Sequence, residues 1–307
     1  MAANAGTKAI IAALLANAGI AVAKFIGYAI TGSSSMLAEG VHSVADTSNQ
    51  ALLLLGQKRA RRQATEQHPF GYGRDRYFYS FVVALLLFSL GSVFALYEGI
   101  HKLESSADLT SPLVAIVILS VAIVLETLSF RTAIRESRPL KGDGSWWQFI
   151  RQAKTPELPV VLLEDAGALL GLILALGGVG ATVLTGDPVW DAIGTICIGV
   201  LLGVIAVVLI VETKSLLIGE GSGPNELRTI RAAMVDGGVD RVIHIKTQYI
   251  GPDELLVAAK IAVSATLATE EVARVINEAE SRIRAAVPAA RIIYLEPDLD
   301  RTPAVAG

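Results

Sequence analysis

Ionisable residues occur inside segments of the chain that are otherwise apolar. Glu39, His42 and Asp46 share one such segment, and Glu164 and Asp165 are adjacent in another. An ionisable group within a membrane span costs about 2.5–3.5 kcal/mol on insertion scales, and therefore indicates a functional site by default. Imidazole and carboxylate groups are also metal ligands. The combination predicts a membrane transporter of a divalent metal ion.

The spacing on the first of these segments, residues 34–56, suits metal binding. At about 100° per residue, Glu39, His42 and Asp46 fall within about 60° of one another on a helix. An imidazole and a carboxylate at positions i and i+4 can hold one ion between them. A polar stripe could instead join helices through hydrogen bonds, but we favour ligation for His42 and Asp46. For Glu39, an ion pair with Lys24 or a place in an outer vestibule explains the residue at least as well.

The second segment offers two carboxylates that diverge. Glu164 and Asp165 point about 100° apart on a helix, so both cannot face one ion without strain. Asp165 is the preferred ligand, and Glu164 is interpreted as its neighbour, with the cytoplasmic interface as an alternative place for its carboxylate. Glu126 is interpreted as the partner of Arg131, five residues further on, at the end of a helix.

Composition supports a membrane protein. Of the 307 residues, 52% are hydrophobic and 18% are charged, against about 25% charged in ordinary soluble domains. The net charge of −3 argues against a general nucleic-acid binder, because no basic excess is present to release counterions. The single cysteine, Cys197, excludes an intrachain disulfide framework and a cysteine-based zinc cluster.

Six apolar stretches have the length of about 20 residues that a membrane-spanning helix needs. They cover residues 9–31, 34–56, 78–100, 112–133, 158–182 and 189–211. The first has no cleavage site of a signal peptide, and we interpret it as a span. Basic residues concentrate after the second and fourth spans, which predicts that these loops and both termini are cytoplasmic. A multi-pass protein of the bacterial inner membrane is the expected setting.

The chain changes character after the sixth span, which predicts a transmembrane domain over 1–212 and a soluble domain over 213–307. The latter begins with a helical pattern over 223–238 and continues with two strands around the turn at 251–253. Thr269 is the expected cap of a second helix, and RIIYLEP forms a last strand. Such an α-β-β-α-β unit forms a two-layer α/β domain, with a sheet against helices.

Two motifs resemble the cation diffusion facilitator family, most of whose members are zinc exporters that exchange metal for protons. They are SSSMLAEGVHSVADTSNQALLLLG in the second span and HPFGYGRDR at 68–76, and the resemblance extends over nearly the whole chain. It implies that His42 and Asp46 supply half of the transport site. In the fifth span, EDAGALLG resembles the family motif with Asp165 as one ligand and Val161 in place of the other. Glu164 or water would complete the site, as in a divergent branch of the family.

The resemblance also implies a cargo and a mechanism. The expected cargo is Zn²⁺, with Mn²⁺, Fe²⁺ or Co²⁺ as alternatives, and no cofactor is expected beside it. Alternating access would expose the site to each side in turn, with His42 as the proton carrier. The partners would be the metal ion, protons, the bilayer and a second copy of the chain. The rival interpretation is a membrane-embedded metalloenzyme, with Glu164 as its only obvious general base.

The family's peripheral metal positions are largely replaced. Tyr72 stands where the loop motif has a histidine, which leaves His68 as a loop or capping residue. In the tail, His244 and Glu296 match family metal-binding positions, but Tyr294 replaces the final histidine. The tail is therefore predicted to be a dimerisation module and not a zinc sensor.

Overall fold

The computed structural model describes residues 2–105 and 111–299. Its contacts divide the chain into two compact units. The first combines the chain up to Arg61 with Asp75–Lys214, and the second combines Arg62–Arg74 with the chain from Ser215 onward. The loop Arg62–Arg74 therefore belongs with the C-terminal unit, although it lies far from that unit in sequence.

The first unit is entirely helical in its described part. Its elements are α1 (Ala2–Thr31), α2 (Ser34–Ala60), α3 (Asp75–Leu86), a π-helical segment (Leu87–Val93), α4 (Phe94–Ser105), α5 (Pro112–Lys141), the short α6 (Trp146–Gln152), α7 (Glu157–Thr185) and α8 (Val189–Ile218). The elements α3, π-helical segment and α4 follow one another without a break. Each of the six predicted apolar stretches falls within helical structure.

Within the described residues, four helical stretches are long and apolar enough to cross a membrane. They are Asp75–Glu104, Pro112–Lys141, Glu157–Thr185 and Val189–Ile218. The 27 residues of α2 are also enough for a bilayer, at 1.5 Å per residue. Its polar residues, however, make α2 much less hydrophobic on average than these four stretches.

The turn between α1 and α2 is built from residues that permit a tight reversal. Gly32 has φ +65°, a backbone conformation that costs glycine little. Ser33 then caps α2, and its Oγ accepts a hydrogen bond of 3.3 Å from the Met36 amide. The local sequence thus fixes where α2 begins, and with it the position of every ligand candidate along that helix.

Small residues let the helices of the first unit approach closely, as is usual where helices pack in a membrane. A methyl group added to Gly178 on α7 would lie 2.9 Å from the Trp190 carbonyl oxygen and 3.4 Å from the Gly194 Cα of α8. A methyl group on Gly199 would meet the Leu96 amide nitrogen of α4 at 2.9 Å. The backbone of α8 therefore lies in close contact with α7 at Gly178 and with Leu96 of α4 at Gly199.

The second unit contains the expected α/β arrangement. Its elements are α9 (Pro224–Met234), β1 (Val239–Gly251), β2 (Glu254–Val263), α10 (Thr269–Ala286) and β3 (Ala290–Asp298). The sheet has the order β1-β2-β3, antiparallel between β1 and β2 and parallel between β2 and β3. Ile230, Met234 and Ile283 from the two helices are completely buried in a core with Leu255 and Val257 of the central strand.

Two helix ends in this unit differ from the sequence-based expectation. The helix predicted over 223–238 ends at Met234. Thr269 is the first residue of α10 and not its cap. The cap position belongs to Ala268, whose amide donates a 3.0 Å hydrogen bond to Oε2 of Glu271. The Glu271 carboxylate thus accepts from the amide of the cap residue, as in a capping box, although the cap residue here is alanine and not the usual Ser or Thr.

The loop Arg62–Arg74 packs on the turn between β1 and β2. A methyl group on Gly73 would lie 2.8 Å from the Ile250 carbonyl oxygen and 2.9 Å from the Gly251 Cα. Only glycine permits this approach of two backbones. His68 is exposed on the same loop, and its amide donates to Thr65 Oγ1 at 3.1 Å, as expected for a loop residue.

Candidate metal centre

The polar stripe of α2 is buried. His42 and Asp46 retain 1% and 5% of their exposure, and Asn49 retains none. The His42 Nε2 lies 3.5 Å from Oδ2 of Asp46, as expected for side chains one helical turn apart. The helix thus holds an imidazole and a carboxylate side by side, away from solvent.

Several polar atoms of this stripe, and one on α7 that faces it, have no hydrogen-bond partner. They include both ring nitrogens of His42, Oδ1 of Asp46, Oδ1 of Asn49 and Oε2 of Glu164. Each unsatisfied buried group of this kind costs about 1–3 kcal/mol, and native structures contain few of them. Nitrogen and oxygen atoms with free lone pairs, grouped in one buried place, are the chemistry that a divalent cation requires.

The two adjacent carboxylates of α7 point in different directions. Oε1 of Glu164 accepts a 2.8 Å hydrogen bond from Asn49 Nδ2, and its carboxyl group interacts directly with that of Asp46. Asp165 turns towards α5, where its Oδ2 accepts a 3.0 Å hydrogen bond from Ser129. The divergence follows the expected 100° step, but Glu164 is the residue that faces the α2 pair.

The four candidate ligands do not converge on one point. Over residues 2–105 and 111–299, no group of three His, Cys, Asp or Glu side chains is arranged closely enough to hold a metal ion. The structure brings His42 next to Asp46 and Glu164 next to Asp46 as two pairwise contacts, and it leaves Asp165 in contact with α5. Val161, one turn before Asp165, lines a cavity beside that residue.

Glu39 forms the ion pair suggested by its position. The Lys24 ammonium donates to Oε2 of Glu39 at 3.0 Å and to the Ser43 hydroxyl at 2.8 Å. Both members of the pair are almost completely buried. A methyl group on Gly171 of α7 would lie 2.5 Å from the other carboxylate oxygen, Oε1. Glycine at this position leaves room for the carboxylate between α2 and α7.

The expected pairing of Glu126 with Arg131 does not match the structure. Glu126 is buried on α5, and its strongest interaction with another charged group is with Asp165. Arg131, in contrast, is exposed. A shift of five residues places the two side chains about 140° apart on the helix, which accounts for the difference. Glu126 therefore belongs to the acidic surroundings of Asp165.

The π-helical segment is a feature that sequence reasoning missed. It passes next to the stripe of α2, and a methyl group on Gly91 would lie 3.8 Å from Nδ1 of His42 and 3.2 Å from Leu202. Single π-helical turns within α-helices are frequent at functional sites. The glycine within an otherwise bulky apolar run was the available signal, because it marks a close approach.

In the second unit, a lysine side chain occupies the place between the residues that match the family's peripheral metal-binding positions. His244 on β1 is paired with Lys260 on β2, and Lys260 is paired with Glu296 on β3. The Lys260 ammonium lies 2.9 Å from Glu296 and 3.3 Å from Asp298, and these hydrogen bonds raise the pKa of Lys260. Lys260 thus lies between His244 and Glu296 in the order of the strands, and its ammonium binds the carboxylate that would otherwise be a metal ligand.

A helical unit with four stretches able to cross a bilayer, together with the family match that follows, defines a multi-pass integral membrane protein of the transporter class. Residues 10–218 match the family model described as the cation efflux transmembrane domain. The chain belongs to this cation efflux family, which corresponds to the resemblance noted from the motifs. The family consists of transporters and not of enzymes.

Curated relatives agree with this assignment. The mitochondrial proton-coupled zinc antiporter SLC30A9 of Xenopus laevis is 34% identical over 257 residues, which cover 83% of this chain and 46% of that protein. Metal tolerance protein C4 of Arabidopsis thaliana is 32% identical over 259 residues, or 83% of this chain and 56% of that protein. The chain thus spans about half the length of these relatives.

A bacterial relative matches over more of its own length. The magnetosome protein MamB of Paramagnetospirillum magneticum is 25% identical over 267 residues, which cover 87% of this chain and 85% of that protein. The relatives thus include proteins of mitochondria and of bacterial magnetosomes.

Proposed function

We propose that this protein moves divalent metal cations, Zn²⁺ foremost, out of the cytoplasm in exchange for protons. The observation that carries the proposal is the buried, unpartnered set of nitrogen and oxygen atoms on α2 and α7. Helices α1, α2, α3–α4, α5, α7 and α8 would form six spans, with both termini in the cytoplasm of a bacterial cell and the bundle in its inner membrane.

The transport site in this proposal combines His42 and Asp46 of α2 with Glu164 and Asp165 of α7. Glu164 supplies the oxygen that Val161 cannot, because its carboxyl group already reaches Asp46. Asp165 would take the place of Glu164 at the ion when the Ser129 hydrogen bond is released, because a rotation of α7 against α5 that turns one carboxylate towards α2 turns the other away. Such an exchange would keep three side-chain ligands on the ion and is the kind of motion on which alternating access depends.

Proton exchange follows from the chemistry of the ligands. A metal ion binds only to deprotonated carboxylate and neutral imidazole groups, so metal and protons compete for the same lone pairs. His42 has no hydrogen-bond partner on either ring nitrogen, so it can carry a proton when the metal has left. The relatives named as proton-coupled zinc antiporters support this coupling and support Zn²⁺ as cargo. A nitrogen and oxygen ligand set also accepts Mn²⁺, Fe²⁺ or Co²⁺.

For the C-terminal unit we propose a role in dimerisation and not in metal sensing. Lys260 binds both Glu296 and Asp298, so its ammonium would compete with a metal ion for these carboxylates. The exposed face of the sheet would instead meet a second copy of the chain.

Flux through proteoliposomes tests the transport site. We expect His42→Ala and Asp46→Ala to reduce Zn²⁺ flux at least as much as the loss of an outer-shell partner, which costs about 10–100-fold in metal sites. Ser48→Ala is the matched control, because Ser48 lies on the same helix but is exposed and bonded to its own backbone. If both site variants move Zn²⁺ and Mn²⁺ at the wild-type rate, the proposed site is wrong.

A further inference from the structure

The short helix α6 lies between two of the stretches that can cross a bilayer. Pro112–Lys141 ends shortly before α6, and Glu157–Thr185 begins shortly after it. The 30 residues of the first stretch extend about 45 Å at 1.5 Å each, which is the thickness of a bilayer together with its head-group layers. The end of this stretch and the adjacent α6 therefore lie at the level of the lipid head groups.

One face of α6 packs on the helical bundle, and the other presents tryptophan. Phe149 is only 7% exposed and belongs to a core cluster with Ala133 of α5 and Leu162 of α7. Trp146 and Trp147 are 36% and 54% exposed. Tryptophan is enriched where membrane and water meet, because its ring is apolar while its N–H is polar. The exposed pair thus has the character of a contact with the interfacial layer of a bilayer.

A groove of about 330 Å³ lies beside α6. Leu140, Phe149 and Leu158 contribute apolar surface to its lining, and Lys141 and Lys154 contribute ammonium groups. Its volume falls within the range of small-molecule sites, about 300–1,000 Å³. Apolar walls combined with two cationic side chains fit a molecule that is itself partly apolar and negatively charged.

Neutral groups position the Lys141 ammonium at this groove. The ammonium donates hydrogen bonds to the carbonyl oxygens of Gly142 and Gly144. It also lies 5.4 Å from the centroid of the Trp146 ring, which is a cation–π contact. Carbonyl oxygens and an aromatic ring orient an ammonium group but carry no net negative charge. Lys141 therefore keeps its positive charge for an anionic ligand.

The sequence around the groove also has a positive excess. Residues 135–157 include three acidic side chains and five basic ones, namely Arg135, Arg138, Lys141, Arg151 and Lys154. Glu157, one of the three acids, is bound by two nitrogens of the Arg76 guanidinium. Basic residues near a bilayer attract anionic lipids, so the charge of this region is complementary to them.

We propose that the groove beside α6 binds the head group of an anionic phospholipid, with Lys141 and Lys154 on its phosphate. Trp146 and Trp147 would contact the interfacial layer next to it. A free phosphate ion would use the lysines alone and would leave the apolar walls and the tryptophans in water, whereas a phospholipid covers both. The site does not include the metal ligands, so it is independent of the proposed cargo and of the direction of transport.

Quenching of tryptophan fluorescence by brominated lipids tests this site. The full chain with Trp190→Phe, in which only Trp146 and Trp147 remain as reporters, is reconstituted into mixed vesicles of phosphatidylcholine and phosphatidylglycerol, with bromine on one lipid or on the other. We expect phosphatidylglycerol to be preferred by at least about five-fold, the effect of one basic residue near an anionic surface. Lys141→Gln/Lys154→Gln should reduce the preference to less than about two-fold, because each lysine contributes an effect of this size.

The matched control is Arg135→Gln/Arg138→Gln, which removes the same charge from exposed residues of α5 outside the groove lining. It should keep most of the preference, and an equal loss in both double variants would overturn the proposal in favour of a general attraction to a basic surface. Lys141→Arg/Lys154→Arg keeps the charge and should keep the preference, which separates lost binding from lost folding.

Two further results would overturn the proposal. One is the absence of any preference for phosphatidylglycerol before the lysines are replaced. The other is reversal of the preference by soluble glycerol phosphate at constant ionic strength, because the groove would then accept a free anion and not a lipid. Zinc flux is not a readout of this experiment, so failure of the proposed transport function would leave its result unchanged.

Discussion

The first turns and the later turns of α2 differ in whether their buried polar side chains have hydrogen-bond partners. Around residues 33–39 almost every polar side chain has a partner, and only Oε1 of Glu39 lacks one among the described atoms of that stretch. Around residues 42–50, His42, Asp46, Asn49 and Gln50 each carry buried atoms without partners. One helix in one environment thus contains a completed network and an incomplete one.

The completed network centres on Asp191 of α8. Its carboxylate accepts hydrogen bonds of 3.0 Å from the Ser33 hydroxyl, the Ser34 amide and the Ser34 hydroxyl. It therefore caps α2 from a neighbouring helix, where a negative charge is favoured by the helix dipole. A second connection, from Lys24 to Glu39, follows about one turn later. Both attach the start of α2 firmly to the bundle.

The difference indicates what each half does. A fully satisfied buried network adds rigidity and specifies one arrangement, whereas a partly satisfied one is costly unless a ligand completes it. We infer that the start of α2 is structural and that residues 42–50 serve the cargo. Substitutions in the two halves should therefore separate stability from transport, and the following predictions are ordered by the size of the expected effect.

The largest loss of stability is expected for Lys24→Ala. It leaves the buried Glu39 carboxylate without its cation, and breaking a buried pair in this way costs about 3–5 kcal/mol. The double variant Lys24→Met/Glu39→Leu should recover most of that loss, because no charge then remains buried. Unfolding of the purified protein in detergent measures both. A double variant as unstable as Lys24→Ala would show that the pair is not the cause.

A smaller loss is expected for Asp191→Ala, which removes the cap that α8 provides to α2. The Ser33 hydroxyl and the Ser34 amide would be buried without the carboxylate that now accepts from them, at a cost of about 1–3 kcal/mol. Asp187→Ala is the matched control, since the Asp187 carboxylate also caps a helix, bonding the Val189 amide at 3.0 Å, but is exposed. Equal losses in the two variants would contradict a special role for the buried cap.

A gain of stability, and not a loss, is expected for a substitution in the incomplete network. Glu164→Gln removes the need for the Glu164 and Asp46 carboxyl groups, which lie in direct interaction, to share a proton, and its amide can donate to Asp46. The metal-free protein should gain about 0.5–2 kcal/mol, the usual range for a single stabilising substitution, while Zn²⁺ flux falls. Unfolding in the presence of a chelator and flux in proteoliposomes test the two effects. A loss of stability would show that Glu164 has a structural role, like the residues at the start of α2.

Periodicity and length were enough to predict the helices and the stripe. The apolar stretches predict helices because backbone groups in a bilayer must be satisfied within a helix, and the i and i+4 spacing places His42 beside Asp46. The Lys24–Glu39 pair is confirmed for a similar reason, since two buried charges of opposite sign at equal depth have few alternatives. Local rules therefore account for what lies along one helix.

Periodicity and length did not predict how the helices contact one another. Which of Glu164 and Asp165 faces α2 depends on the rotation of α7, which the sequence of α7 does not determine. The burial of Glu126 depends on α7 in the same way, and the docking of Gly73 on Gly251 depends on a contact between segments far apart in sequence. The π-helical segment beside His42 arises from packing, because its residues would also form a regular α-helix.

The smallest effect is expected in the second unit, where a completed network faces water and not a bilayer. The Tyr249 hydroxyl donates to the Glu226 carboxylate, with both oxygens at 2.9 Å, and burial together with this carboxylate raises the pKa of Tyr249 well above its usual range. Tyr249→Phe should cost about 1 kcal/mol at pH 8. Tyr294→Phe, at an exposed position of the same sheet, should have no effect.

The pH dependence of this cost has a definite sign. Above about pH 10 an unfolded tyrosine loses its proton, whereas Tyr249 in the folded chain keeps it because its pKa is raised. The folded state then binds more protons than the unfolded state, so the stability that Tyr249 contributes is present below pH 10 and falls as the pH rises further. The difference between wild type and Tyr249→Phe should therefore shrink between pH 8 and pH 10.5 in unfolding measurements on the full chain. A difference that grows over this interval would mean that the folded state favours the ionised phenol, which the Glu226 carboxylate cannot do, and the hydrogen bond to Glu226 would then not be the source of the effect.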